Sequence, residues 1–286
     1  MSDNYHSGTD HLSASGAKLI LRTPLEYYSR YGPNAVTEKP KPAFRFGTAF
    51  HILVLEGEEE FKRRVTCTPD WNSLFDKPRS KAAMAERQAW REFNSDKDPE
   101  LFFSIEEYDQ MMFMRDCVFA HSAAQELLID GTGETTYRVN IDPSYEHGDY
   151  NVGIKAKIDW VTGIKSGDYR LCDLKTCSDI DPRRLGNDVW NYGYHLQQAF
   201  HRLVFGEFME IPYTPSWNWI FVSKNSHDRR NYPVRVIHPT EAEEAVGNRL
   251  CDEAIEIYAK CKANNEWPGP SQESEPLLTP SWAKWR

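Results

Sequence analysis

The sequence lacks any apolar run of the roughly 20 residues that a membrane-spanning helix requires. Its first six residues, Met-Ser-Asp-Asn-Tyr-His, also lack the charged and then apolar pattern of a secretion signal. We therefore expect a cytoplasmic protein without a membrane partner.

Cysteine is sparse, and the six cysteines (67, 117, 172, 177, 251 and 261) are scattered along the chain. Free thiols in a reducing compartment are the expected state for such a pattern. Cys172 precedes Asp173 in a predicted strand, so its side chain should point to the opposite face and pack there.

Positive charge is also in deficit, since 34 Lys and Arg residues face 43 Asp and Glu residues and leave a net charge of −9. This balance argues against tight, sequence-independent binding of nucleic acid by an isolated subunit. Such binding would require a focused basic groove or a channel through an oligomer. With 286 residues and 40% hydrophobic content, the chain can bury the core of one large domain.

Two neighbouring strand patterns contain the most informative residues. The first runs from Gly153 to Val161 and contains Asp159, and the second runs from Tyr169 to Thr176 and contains Asp173-Leu-Lys175. The segment between them, Thr162 to Asp168, contains two glycines and suits a hairpin.

Alternation along a strand predicts which of these side chains share a face. Asp173 and Lys175 should point the same way, with Leu174 opposed. In the first strand, one predicted face comprises Lys155, Lys157 and Asp159, and the other comprises Ile154, Ala156, Ile158 and Trp160.

Two carboxylates on adjacent strands can hold a hard divalent cation such as Mg²⁺. A lysine beside them can orient or deprotonate a water molecule. An Asp-x-Lys tripeptide is common, however, and on its own usually marks a solvated strand face. The flanking segments distinguish the two interpretations. Phe46-Gly-Thr-Ala-Phe-His51 lies upstream and Gly193-Tyr-His-Leu-Gln-Gln-Ala-Phe-His201 lies downstream, both on helical patterns.

In order and spacing these blocks, together with Leu12 to Arg22, resemble the PD-(D/E)xK nuclease superfamily. Within it they look like the RecB-type and RecE-type (exonuclease VIII-type) exonucleases of bacteria and phages. The resemblance implies that His51, Asp159, Asp173 and the backbone carbonyl of Leu174 bind metal. It also implies that Lys175 serves the attacking water and that Gln197 supports the catalytic site.

The chain departs from the family pattern at two positions. Ile158 replaces the proline that names the superfamily, and His201 stands where the family often has tyrosine. An acidic residue often occurs near Glu134 in the family, which suggests a supporting role for Glu134 at the metal site. Some relatives bind an iron–sulfur cluster, but the late cysteines here lack a third partner, so we expect no cluster.

The expected cofactor is therefore Mg²⁺, with Mn²⁺ as a substitute, and the expected substrate is the end of double-stranded DNA. Candidate DNA contacts are Lys155, Lys157, Tyr194, Arg183 and Arg184. The resemblance implies an exonuclease that degrades one strand of linear duplex DNA and exposes the other for annealing and recombination. A cyclic homo-oligomer and a single-strand annealing protein are the expected partners.

Two alternatives remain open from the sequence. The same site could serve a single-strand-specific or structure-specific endonuclease. A non-catalytic DNA-binding recombination module could also retain the fold, although the presence of both aspartates and the lysine argues against it.

The predicted fold class is α/β, with a mixed central sheet flanked by helices in a restriction-endonuclease-like core. We expect one exonuclease domain over 1–286, with a possible accessory helical insertion at about 68–100 and a Pro- and Trp-rich tail at about 266–286. Predicted helices cover about 13–31, 45–64, 80–94, 105–128, 190–207 and 241–262. Predicted strands cover about 134–141, 152–161, 169–176, 217–222 and 232–237. Residues 181–187 are predicted as a loop.

Overall fold

A computed structural model describes residues 10–35, 42–141, 151–226 and 228–274 of the chain. Residues 36–41, and residues 275–286 of the predicted tail, lie outside the described residues. None of the described helices is both long and apolar enough to cross a bilayer.

The main sheet of the described residues has six strands. They are β1 (His11–Ser13), β4 (Thr132–Ile141), β5 (Val152–Thr162), β6 (Arg170–Cys177), β7 (Ser216–Ser223) and β8 (Val234–Ile237). The order is β1-β5-β6-β7-β8, and β4 pairs with β5. Strands β5 and β6 are antiparallel, which agrees with the predicted hairpin, whereas β6 and β7 are parallel. The sheet is therefore mixed, as predicted.

The helices are α1 (Ala14–Ile20), α2 (Pro24–Tyr31), α3 (Pro42–His51), α4 (Glu58–Arg64), α5 (Trp71–Leu74), α6 (Lys81–Phe93), α7 (Ile105–Ala120), α8 (Ser122–Leu128), α9 (Pro182–Asn191), α10 (Tyr194–Met209) and α11 (Glu241–Asn264). A π-helical turn (Ile52–Glu56) follows α3, and a 3₁₀ turn (Pro99–Leu101) precedes the short strand β3 (Phe102–Phe103).

Each face of the sheet buries its own hydrophobic core. Ile154 and Ile158 of β5 pack in the first core with residues of α1, α10 and α11. Cys172 and Leu174 of β6 pack in the second core with residues of α3, α7 and α8. The sheet thus lies between two helical layers, which confirms the predicted fold class.

Three predicted helices are each divided in two. The helix predicted over 13–31 breaks where the Thr23 hydroxyl caps α2 and Pro24 begins it. The helix predicted over 45–64 breaks at the π turn and at Gly57, whose φ of +97° is incompatible with a helix. The helix predicted over 105–128 begins at a capping box formed by Ser104 and Glu107. It breaks at His121, whose ring accepts a hydrogen bond from the start of α8.

The prediction of a loop over 181–187 was wrong, because most of that segment belongs to α9. Asp181 caps this helix by accepting from the backbone N–H groups of Arg183 and Arg184, and Pro182 occupies its first position. Both signals are present in the sequence.

The two ends of the segment 68–100 lie next to each other in the fold. Strand β2 (Thr66–Cys67) precedes it and pairs in parallel with β3, which follows it. Between these strands lie α5 and α6, where the rings of Trp71 and Trp90 meet edge to face. The predicted helix at 80–94 corresponds to α6, capped by Ser80.

Candidate active site

Strands β5 and β6 separate at the position where Asp159 and Asp173 face each other. β5 pairs with β6 only over Trp160–Thr162 and with β1 only over Gly153–Lys155. Among the described residues, 156–159 therefore have no ladder partner on this edge of β5. The Asp159 Oδ2 atom fills part of the gap by accepting a hydrogen bond of 3.0 Å from the Leu174 backbone N–H.

The gap also interrupts the strict alternation that the sequence predicts for β5. Trp160 packs with the second core rather than with Ile158 in the first. The change coincides with Glu134, which lies across from Asp159 on β4 and has a left-handed φ of +51°. The prediction that Trp160 shares a face with Ile158 was therefore wrong, because it assumed an undistorted strand.

His51 reaches the gap from the C-terminal end of α3. Its Nε2 atom lies 2.6 Å from the Leu174 carbonyl oxygen, close enough for a ring N–H there to donate. Its Nδ1 atom lies 3.7 Å from Asp159 Oδ2 and 3.8 Å from Glu134 Oε1. One donor atom from each of these three side chains lies within 4.8 Å of the others, an arrangement that can hold a metal ion.

Asp173 lies beside this cluster and is only 1% exposed. Its Oδ1 atom accepts from the Lys175 ammonium at 2.7 Å and from the Gln197 amide at 3.2 Å. Its Oδ2 atom is buried without a hydrogen-bond partner among the described residues. A buried oxygen in this state costs free energy unless a ligand satisfies it.

Opposed charges determine the proton affinities in the site. Burial, with the nearby carboxylates of Asp173 and Glu134, raises the pKa of Asp159 above its usual range, although His51 and Lys175 oppose the increase. Burial alone would lower the pKa of His51, but the Asp159 and Glu134 carboxylates raise it instead. The position beside His51 Nδ1 thus favours positive charge, whether of a proton on the ring or of a bound cation.

The pKa values of Lys175 and Glu134 are shifted as well. Burial would lower the pKa of Lys175, but the charges of Asp173 and Asp159 raise it above its ordinary value. Burial would raise the pKa of Glu134, but the nearby His51 ring and the ion pair with Lys157 lower it to about 2. Lys175 is therefore charged and Glu134 ionised near neutral pH.

This donor set fits a divalent cation. Carboxylate and carbonyl oxygens suit Mg²⁺ and Mn²⁺, and an imidazole nitrogen suits transition metals better than Mg²⁺. The unpartnered Asp173 Oδ2 could supply a further ligand, and the Leu174 carbonyl lies next to the His51 ring. The structure thus brings His51, Asp159 and the Leu174 carbonyl together with Glu134, whereas Asp173 is not in the group of side chains whose donor atoms lie within 4.8 Å of one another.

An open cavity of about 870 Å³ gives solvent access to the cluster. His51, Glu134 and Asp159 line it from the sheet side, and Gln197 and His201 line it from α10. Its positively charged lining residues are Arg64 and Lys157. Both form ion pairs with glutamates of the same lining, Arg64 with Glu56 and Lys157 with Glu134.

The predicted DNA contacts fall in different places. Lys157 lines the cavity and forms an ion pair with Glu134, whereas Lys155 is 6% exposed and does not line it. Arg183 and Arg184 are exposed on the first turn of α9. Tyr194 lies beside Lys175, with the ammonium 5.1 Å from the ring centroid. The geometry thus favours Lys157 over Lys155 as a contact.

Sequence reasoning assigned no role to Lys18 of α1. Its ammonium lies 5.6 Å from the centroid of the Tyr194 ring, and burial together with the charge of Lys175 lowers its pKa to about 8. The contact joins α1 to the start of α10, and no periodicity or motif in the sequence indicates it.

Comparisons with known proteins identify the family of the chain. A family model described as a PDDEXK-like domain of unknown function (DUF3799) matches residues 13–278, and the chain belongs to this family. The resemblance to the PD-(D/E)xK superfamily is thereby confirmed.

The fold is similar to that of a candidate exonuclease from Eubacterium rectale, with a TM-score of 0.60, 11% identity, and coverage of 98% of this chain and 95% of that chain. A phage-related exonuclease from Haemophilus somnus 129PT aligns with a TM-score of 0.32 and 12% identity over 71% of this chain and 96% of that chain. No curated protein sequence matches the chain significantly.

Proposed function

We propose that this PDDEXK-like protein is a divalent-metal-dependent deoxyribonuclease that degrades one strand of linear duplex DNA from its end. The observation that carries the proposal is the buried, unpartnered Oδ2 of Asp173, which lies beside the cluster of His51, Glu134 and Asp159. The same aspartate binds Lys175 through its other oxygen. A candidate cation site and a lysine are thus adjacent, an arrangement suited to metal-assisted phosphodiester hydrolysis.

His51, Asp159, Asp173 and the Leu174 carbonyl would hold Mg²⁺ or Mn²⁺, with Glu134 as an additional acidic group. When bound, the cation would lower the pKa of a water molecule and offset negative charge on the phosphate. Deprotonated ligands are required for binding. Metal uptake should therefore compete with protonation of His51, whose pKa the Asp159 and Glu134 carboxylates raise.

Lys175 would orient the attacking water. Its raised pKa favours this role over proton abstraction, because an ammonium can donate hydrogen bonds but cannot accept a proton. The bond to Asp173 occupies one N–H group, so two remain for water and a phosphate oxygen.

Gln197 would keep Asp173 in place. Its amide donates to the same Oδ1 atom that binds Lys175, leaving Oδ2 directed away from both donors. The neighbouring Gln198 serves the fold instead, since its side chain binds Arg202 and the His195 carbonyl inside the first helical layer.

The preference for DNA ends rests on the RecE-type resemblance. The net charge of −9 supports an arrangement in which DNA is enclosed rather than held by charge alone. A cyclic homo-oligomer would supply that enclosure, and a single-strand annealing protein would take up the exposed strand. Light scattering of the purified protein measures the oligomer directly, and a monomer at working concentration would contradict the enclosed arrangement.

Comparing DNA substrates tests the function. We expect linear duplex to be degraded in Mg²⁺ or Mn²⁺, closed circular duplex to be spared, and EDTA to abolish turnover. The Asp173→Ala variant should be inactive and bind Mn²⁺ more weakly by calorimetry. Asp109→Ala, on the exposed surface of α7, is the matched control. Rapid cleavage of closed circles would favour an endonuclease, and turnover by Asp173→Ala would refute the site.

A further inference from the structure

Two lysines from different parts of the chain converge on the ring of Tyr194. Lys175 of β6 lies 5.1 Å from the ring centroid, and Lys18 of α1 lies 5.6 Å from it. Both distances fall within the range over which an ammonium is attracted to an aromatic face. The ring therefore joins three elements of the fold beside the candidate catalytic residues.

The backbone holds Tyr194 at a defined position. The residue begins α10 directly after Gly193, which has a left-handed φ of +64°. A Cβ atom on Gly193 would lie 3.1 Å from Cε of Lys18, so the lysine stem packs against this glycine. Lys18 forms no ion pair with a carboxylate among the described residues, which leaves the ring as its recorded partner.

The Lys175 side chain is held by its ion pair with Asp173 and by the contact with Tyr194. It is flexible, and holding a lysine in one conformation costs up to about 2 kcal/mol of conformational entropy. Asp173 restrains the ammonium from one direction only. The aromatic face of Tyr194 restricts the ammonium further and leaves two of its N–H groups available as donors.

We propose that Tyr194 is a positioning residue that holds the Lys175 ammonium for the attacking water, and that Lys18 secures the ring. This inference rests on the proposed nuclease function. Tyr194 is then a part of the catalytic apparatus rather than a contact for DNA bases. The essential feature is the aromatic ring and not its hydroxyl group.

Turnover of linear duplex DNA at saturating Mn²⁺ separates the ring from the hydroxyl. Tyr194→Phe should retain kcat within about 2-fold, whereas Tyr194→Leu should lower it by about 3- to 30-fold, the rate equivalent of one ammonium–ring contact. KM and Mn²⁺ affinity should be unchanged in both variants. Lys18→Met should lower kcat less than Tyr194→Leu. Equal kcat in the Phe and Leu variants would overturn the proposal.

Nuclear magnetic resonance of the metal-free protein provides a readout that is independent of activity. The ε-methylene protons of Lys175, identified by their loss in Lys175→Ala, should show an upfield ring-current shift. Tyr194→Phe should keep this shift and Tyr194→Leu should lose it. Should the Leu variant fail to fold, the wild-type spectrum still decides, because an unshifted Lys175 resonance refutes the contact. An inactive wild-type protein with a shifted resonance would instead refute the nuclease function.

Discussion

Replacing Asp159 with Asn should stabilise the metal-free protein while abolishing hydrolysis. Burial raises the pKa of this carboxyl, and the charges of Asp173 and Glu134 add to the effect of burial. Because its folded pKa exceeds its unfolded value, the native state binds more protons in the window between the two values. Stability therefore rises as pH falls through that window, and the ionised carboxylate costs stability near pH 7.

The size of the gain follows from the pKa. An increase of one pKa unit corresponds to about 1.4 kcal/mol, so we expect Asp159→Asn to raise the free energy of unfolding by roughly 1–3 kcal/mol at pH 7. Asparagine preserves the shape and can still accept from the Leu174 N–H, which bonds Asp159 at 3.0 Å. The variant thus removes the charge without creating a cavity.

Urea unfolding in EDTA at pH 7 and pH 5 measures the effect. The difference between variant and wild type should shrink at pH 5, where Asp159 gains a proton. At 100 times its dissociation constant, Mn²⁺ should stabilise the wild type by about 2.7 kcal/mol and the variant by less. The control Asp109→Asn should stay within about 0.5 kcal/mol of wild type. A destabilised Asp159→Asn protein, or equal stabilisation by Mn²⁺, would refute the reasoning.

Three further predictions test other parts of the molecule. Lys175→Ala should retain Mn²⁺ binding but lose about 10²–10⁴-fold in kcat. Lys175→Arg should not restore kcat, because a planar guanidinium cannot place a point charge at the same position. A near-wild-type rate for Lys175→Ala in single-turnover assays would contradict the role of Lys175 in orienting the water. Gln197→Ala should lower kcat with little change in the free energy of unfolding. Gln198→Ala should instead lower the free energy of unfolding with little change in kcat. Steady-state kinetics and urea unfolding of both variants test this difference. Gly247→Ala should destabilise the protein by about 1–3 kcal/mol, because the added Cβ would lie 2.2 Å from a backbone oxygen of α10. Gly186 has open space around it, so Gly186→Ala should stabilise the protein by up to about 1 kcal/mol. A higher thermal unfolding temperature for Gly247→Ala than for Gly186→Ala would contradict this account of the packing.

The strands and the residues of the candidate site were predictable because they depend on local patterns. Alternating residues on either side of a glycine-containing turn indicated β5 and β6, and the spacing of Asp159 and Asp173 placed them on adjacent strands. The helix containing Gln197 followed from its apolar periodicity. What the structure adds here is the separation of the strands, which brings His51 and Leu174 into contact.

The remaining features depend on backbone geometry or on tertiary contacts. The left-handed conformation of Glu134 redirects the neighbouring Trp160, and glutamate carries no propensity that would indicate it. The convergence of Lys18 and Lys175 on Tyr194 joins residues more than 150 positions apart. The helix breaks at Gly57 and Pro24, in contrast, are indicated by those residues in the sequence. The prediction missed them because it followed the helical periodicity on both sides.

The candidate metal site contains polar groups that are poorly satisfied without a ligand. Asp173 Oδ2 is buried without a hydrogen-bond partner among the described residues. Burial also disfavours the ionised form of the nearby Asp159 carboxylate and raises its pKa. Each of these features costs stability in the metal-free protein. A bound cation would satisfy the oxygen and neutralise the charge at once, so the groups that weaken the empty site are those that would bind the metal. Cation binding and fold stability should therefore be coupled, and loss of either aspartate should uncouple them.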